Sequence, residues 1–96
     1  MEIKAGLYSN NFSRVFSNLL EKTGVSCYQI HKYTNLTEAY LSRLRNGEKS
    51  NPSVETIVKI ALAMAHDSEK FSLPDAESLF HSVGRSLTPK RSQRYG

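Results

Sequence analysis

Apolar residues recur along this chain at spacings that fit helices rather than strands. Phe12, Val15, Phe16, Leu19 and Leu20 stand at i, i+3, i+4, i+7 and i+8, which gathers them on one side of a helix. Asn10 or Asn11 can cap its start and Gly24 its end. After a loop E-K-S-N-P, Ser53 caps a second long run with Pro52 just outside it. Its apolar face is read as Val54, Ile57, Val58, Ala61, Met64 and Ala65, ending at residue 65 or 66. A third run opens at Ser72, with Asp75 at capping-box spacing and Pro74 in the first turn, where a missing N–H does no harm. Leu73, Ala76, Leu79, Phe80 and Val83 form its stripe, and Gly84 ends it. The only strand-like alternation is Ile3, Ala5 and Leu7, which predicts a short extended arm.

Between the first and second of these runs the pattern breaks into two shorter pieces. Residues 25–47 read V-S-C-Y-Q-I-H-K-Y-T-N-L-T-E-A-Y-L-S-R-L-R-N-G. Ser26 can accept from a free N–H of a first turn, and Gln29 can reach back to the Ser26 N–H, completing a capping box. Val25 and Ile30 flank that cap at hydrophobic-staple spacing. The spacing predicts a helix over 27–34, ended by Asn35, one of the few residues other than glycine that tolerates a left-handed conformation. A second start follows at once: Thr37 caps, Leu36 and Leu41 repeat the staple, Leu41 and Leu44 face inward, and Gly47 closes the helix. So short a link forces the two helices to cross steeply, as in a helix-turn-helix. The fold class that results is all-α, a compact five-helix domain over residues 1–84, with residues 85–96 as a basic tail expected to be mobile.

With 96 residues, one core is the limit. The most apolar stretch, residues 57–65, is interrupted by Lys59 and too short to span a bilayer, and the first residues lack the apolar centre of a signal peptide. Cys27 is the only cysteine, so no internal disulfide can form, and a reduced, cytoplasmic setting is expected. The formal charge of +4 is unevenly laid out. Residues 22–49 hold five bases against two acids, residues 50–84 two bases against five acids, and residues 85–96 four bases and no acid. The positive part of the body is the helix-turn-helix, a layout that favours a polyanionic partner.

Two segments carry a family resemblance: L-T-E-A-Y-L-S-R-L-R-N-G, and after it N-P-S-V-E-T-I-V-K-I-A-L-A-M. With them, residues 12–65 resemble the phage-repressor and Cro-type helix-turn-helix domains, the lambda-repressor-like or xenobiotic-response-element family of bacterial regulators. The resemblance implies binding of double-stranded DNA, usually as a dimer on a near-palindromic site. It also implies that the second helix of the motif lies in the major groove. Matching the motif puts Glu38, Ala39 and Arg43 where bases are read, with Thr37, Tyr40 and Ser42 on or beside the same face. Arg43 can donate a bidentate pair to guanine, Glu38 can accept from the cytosine amino group, and Ala39 can touch a thymine methyl. Ser26, Cys27, Tyr28, Asn46, Lys49, Ser50 and Asn51 are expected at phosphates.

The chain departs from the family pattern at four places. Cys27 replaces a phosphate-holding Gln, His31 a small Ala where the two helices touch, Asn35 the turn Gly, and Arg45 a frequent Glu. His31 implies looser or rearranged packing between the helices. Plainer readings stand beside these assignments. Glu38 can pair with Arg45 or Lys49 instead of a base, Tyr33 is read as a partly buried packing residue, and Cys27 is read as a small apolar residue at a helix start. No catalytic chemistry is marked: His31, His66 and His81 share no metal-ligand spacing, and no Gly-rich phosphate loop occurs. A non-enzyme is expected, without cofactor, metal or small-molecule ligand. It is expected to be a sequence-specific transcriptional regulator, a repressor, working as a homodimer through the fifth helix. The alternatives are a protein-interaction module on the same fold, such as an antitoxin or adaptor, and a non-specific nucleic-acid binder led by the tail.

Overall fold

Each helix of this protein begins at a residue whose side chain can occupy a free N–H of the first turn. The computed structural model describes residues 10–49 and 51–84. In order the helices are α1 (Asn11–Thr23), α2 (Cys27–Thr34), α3 (Glu38–Asn46), α4 (Val54–Asp67) and α5 (Leu73–His81). Asn10 Oδ1 accepts from the Ser13 N–H at 2.9 Å, and Ser13 Oγ accepts in return from the Asn10 N–H at 2.8 Å. Ser26 and Gln29 make the same reciprocal pair at the head of α2, 3.1 and 2.9 Å. Thr37 and Ser53 take the Tyr40 and Thr56 N–H groups at the heads of α3 and α4. At the head of α5 the Ser72 N–H and hydroxyl both donate to Asp75 Oδ2, each at 3.0 Å. A side-chain cap on a backbone N–H contributes about 1 kcal/mol, and α1 to α4 each have one, while at α5 Asp75 reaches back to Ser72 instead.

The core forms where the stripes meet. Phe12, Phe16 and Leu19 from α1, Ile30 from α2, Leu41 and Leu44 from α3, Ile57, Ile60 and Met64 from α4, and Leu79 and Phe80 from α5 make one buried cluster, with Val25 under the α1–α2 turn. Burying each large aliphatic or aromatic side chain contributes about 1.5–3 kcal/mol. α1 packs on α3 and α5, and α4 on α2 and α5. The recognition pair α2–α3 is thus held from one side by α1 and from the other by α4. Lys22 Nζ, near the end of α1, meets Asp75 Oδ2 at 2.7 Å and ties it to the head of α5. Burial pushes the Asp75 carboxyl upward, but the Lys22 ammonium and the two Ser72 donors outweigh it and hold the group below the ordinary Asp range.

The structure corrects expectations in α4, in α5 and at Tyr33. In α4 the inward face is Ile57, Ile60, Ala63 and Met64, while Val54, Val58 and Ala65 are exposed and Ala61 is half-buried. α4 is apolar on more than one side, so helical spacing admits two registers, and only contact with α2 and α5 selects between them. The helix also runs on to Asp67. In α5, Ala76, Leu79 and Phe80 are buried but Leu73 is 65% exposed. The helix stops at His81, and Gly84 (φ 77°) ends the turn that follows it. Tyr33 does not enter the core; it is exposed, with its ring 4.7 Å from that of His66. The arm expected at Ile3, Ala5 and Leu7, the basic segment 85–96 and Ser50 lie outside the described residues.

Candidate nucleic-acid interface

The turn between α2 and α3 is built from three residues. Asn35 takes φ 73°, ψ 4°, and its N–H closes on the His31 carbonyl at 2.8 Å. That is the left-handed cap expected of an Asn in this place. Thr34 Oγ1 donates to the Ile30 carbonyl and accepts from the Leu36 N–H, 2.7 and 3.1 Å. His31 Nδ1 lies 2.9 Å from the Leu36 carbonyl. A carbonyl only accepts, so this nitrogen carries the proton. His31 is half-buried here, and its ring bridges α2 to the residue that leads into α3. The packing is therefore rearranged around a polar contact rather than loosened.

The far end of α3 is fixed just as fully. The Glu48 and Lys49 N–H groups donate to the Arg43 carbonyl at 2.9 and 3.2 Å. Gly47, at φ 86°, supplies the left-handed residue that this wrap needs. From α1, Ser17 Oγ donates to the Arg45 carbonyl and Asn10 Nδ2 to the Gly47 carbonyl, both at 3.3 Å. With Leu41 and Leu44 fully buried, α3 can neither slide nor roll without breaking core contacts.

The outward face of α3 is what this mounting presents. Glu38, Ala39 and Arg43 are exposed. Arg43 makes no side-chain hydrogen bond or ion pair among the described residues, and Glu38 pairs with neither Arg45 nor Lys49. Thr37 is exposed, but its oxygen serves the Tyr40 N–H. Tyr40 is half-buried against the core edge. Ser42 is half-buried and its Oγ accepts from Arg45 Nη2 at 3.3 Å. Of the residues expected at phosphates, Ser26, Tyr28, Asn46, Lys49 and Asn51 are exposed and Cys27 is half-buried. Ser26 Oγ already caps α2, Lys32 Nζ stands 5.9 Å over the Tyr28 ring, and Asn51 holds φ 58° just before the buried Pro52.

One residue was missed. Arg45 Nη1 points at Cys27 Sγ across the α2–α3 crevice, 4.0 Å away. Burial pushes the Cys27 thiol up, the Arg45 guanidinium pulls it down and Glu38 pushes it up, leaving it above the ordinary thiol range. It is therefore a neutral thiol near pH 7, without the thiolate that marks reactive cysteines. The spacing of Glu38, Ser42 and Arg45, i, i+4 and i+7, was the available signal that they share one stripe of α3.

A family model for the Cro/C1-type HTH DNA-binding domain matches residues 15–65, more than half of the chain. The chain belongs to that family. No curated protein and no solved structure matches it significantly. The Cro/C1-type match begins inside α1 and stops inside α4, so the whole motif and most of both supporting helices fall within it. α5 lies beyond the matched residues. Among the described residues of this Cro/C1-type chain no three His, Cys, Asp or Glu side chains cluster as a metal site. No helix among them is long and apolar enough to cross a membrane.

Proposed function

We propose that the protein is a sequence-specific transcriptional regulator, a repressor that acts by occupying its DNA site, with α3 in the major groove. The observation that carries this reading is the face of α3. Glu38, Ala39 and Arg43 are all exposed, Arg43 one turn beyond Ala39, and Arg43 makes no hydrogen bond or ion pair to a described side chain. A solvated surface helix gains nothing from a rigid mount, whereas base reading requires one. Arg43 suits guanine, Glu38 a cytosine amino group and Ala39 a thymine methyl. Thr37, Tyr40 and Ser42 flank them. Ser26, Cys27, Tyr28, Asn46, Lys49, Ser50 and Asn51 are assigned to the backbone, which fixes register without reading sequence.

A single motif of this size contacts few base pairs, so the working unit is proposed to be a homodimer in the cytoplasm. The support is an open apolar groove of about 350 Å³ between α4 and α5, lined by Val58, Ala61, Leu62, Phe71, Leu73 and Phe80. None of these residues comes from α2 or α3, so pairing there leaves the recognition face open. Selection of bound sequences from a random DNA pool tests the reading. A motif with two half-sites is expected. A pool that stays random under selection would reject sequence-specific regulation and favour an adaptor role for the same fold.

A further inference from the structure

We infer that Arg45 is a backbone-phosphate anchor at the α2–α3 crevice, supplying the charged side-chain contact that the Cys27 thiol cannot, while Cys27 at the first position of α2 offers its backbone N–H; this rests on the DNA-binding reading above. Three observations converge on it. First, Arg45 is exposed, yet its guanidinium is not free to wander: Nη2 is held at 3.3 Å by Ser42 Oγ and Nη1 at 4.0 Å from Cys27 Sγ. Both partners are uncharged, so the cation is aimed without being neutralised. Second, among the described residues no anion pairs with it. The first turn of α2 carries no acid, and Glu38, on the same stripe of α3, forms no ion pair with it. Third, its position differs from that of Arg43. Arg43 follows Ala39 at i+4, on the part of the face proposed to enter the groove. Arg45 shares a stripe with Glu38 and Ser42 but stands in the last turn of α3, about two turns beyond Glu38, and its guanidinium reaches toward Cys27 of α2.

The chemistry follows from these positions. A thiol that stays neutral is a weak donor and holds a phosphodiester poorly. A guanidinium offers several N–H donors in a fixed fork that fits phosphate oxygens. With two of its donors directed at Ser42 and Cys27, the outer edge of the fork remains for a phosphate oxygen. A contact of this kind adds affinity on every sequence and releases one bound counterion.

The test compares the parent chain with Arg45→Ala and Arg45→Lys on the selected site and on random-sequence duplex, across a series of salt concentrations. Arg45 is exposed and outside the core, and a thermal melt checks that the variants fold. Arg45→Ala is expected to weaken binding by the same factor on both duplexes. It should also flatten the plot of log affinity against log salt by about 0.9, the slope of one phosphate contact. Arg45→Lys keeps the slope, since the charge remains. An unchanged affinity and slope in Arg45→Ala would overturn the assignment. A loss confined to the selected site, with relaxed preference at one base pair, would overturn it too and make Arg45 a base reader. If the parent itself binds neither duplex, the DNA-binding reading fails before Arg45 is reached, and the two failures are thereby told apart.

Discussion

Arg43 and Arg45, two positions apart on α3, are proposed for different work. Arg43 makes no hydrogen bond or ion pair to a described side chain, while Arg45 Nη2 and Nη1 are directed at the Ser42 hydroxyl and the Cys27 thiol. Replacing Arg43 by Ala is expected to cost about 1–3 kcal/mol on the selected site and to relax preference at one base pair, read by competition among single-base variants of that site. Its salt slope should move less than that of Arg45→Ala. Asn35 sets a residue-scale condition of another kind, because φ 73° is a conformation that side chains with an ordinary Cβ resist. Asn35→Ala should lose about 1 kcal/mol in denaturant unfolding, whereas Asn35→Gly should be close to neutral. A loss as large in Asn35→Gly would mean that the Asn side chain, and not the backbone angle, holds the turn.

At the scale of elements, the helices were legible because their ends are chemically marked. Asn10, Ser26, Thr37, Ser53 and Ser72 each stand at the head of a helix, and Gly24, Asn35 and Gly47 each take the left-handed conformation at an end. Those signals act over three or four residues and need no tertiary knowledge. The side on which α4 faces inward was not legible, since Val54 and Val58 are as apolar as Ile57 and Ile60. Arg45 was missed for a related reason: its partner Cys27 lies on another helix, and sequence spacing cannot show a contact across a crevice. The Lys22–Asp75 pair is equally invisible in the sequence, and it makes a pH-dependent link between α1 and α5. The carboxyl is held below its ordinary value of about 3.9. Its contribution is therefore complete above that value and is lost as the pH falls through the lower, folded-state value. Thermal melts from pH 7 downward should show Asp75→Asn less stable than the parent near neutrality and converging with it in strong acid. A constant gap at every pH would place the loss in the Ser72 cap rather than in the charge.

For the whole molecule, the open question is what covers the apolar surface that the fold does not use. Leu62 is 54% and Leu73 65% exposed, at the rim of a groove floored in part by Phe80 from the core. An isolated exposed leucine is ordinary, but a contiguous apolar groove in so small a domain is the mark of a contact surface. A second copy is the occupant that DNA binding itself favours. A two-fold axis would give two α3 helices about one DNA turn apart, roughly 34 Å, and match a palindromic site. Leu79 and Phe80 close the monomer core, while Leu73 and Leu62 on the outer side of α4 are exposed, so these are the residues proposed to meet a second copy. Sedimentation of the parent chain with a palindromic site should show two copies per duplex. Leu62→Glu and Leu73→Glu, at exposed positions that the core does not need, should leave the melting temperature nearly unchanged. Each should still abolish cooperativity, so that the two half-sites fill independently and more weakly than in the parent. A parent chain that remains strictly monomeric with and without DNA, bound one per site, would reject the dimer and leave the α4–α5 groove to some other protein.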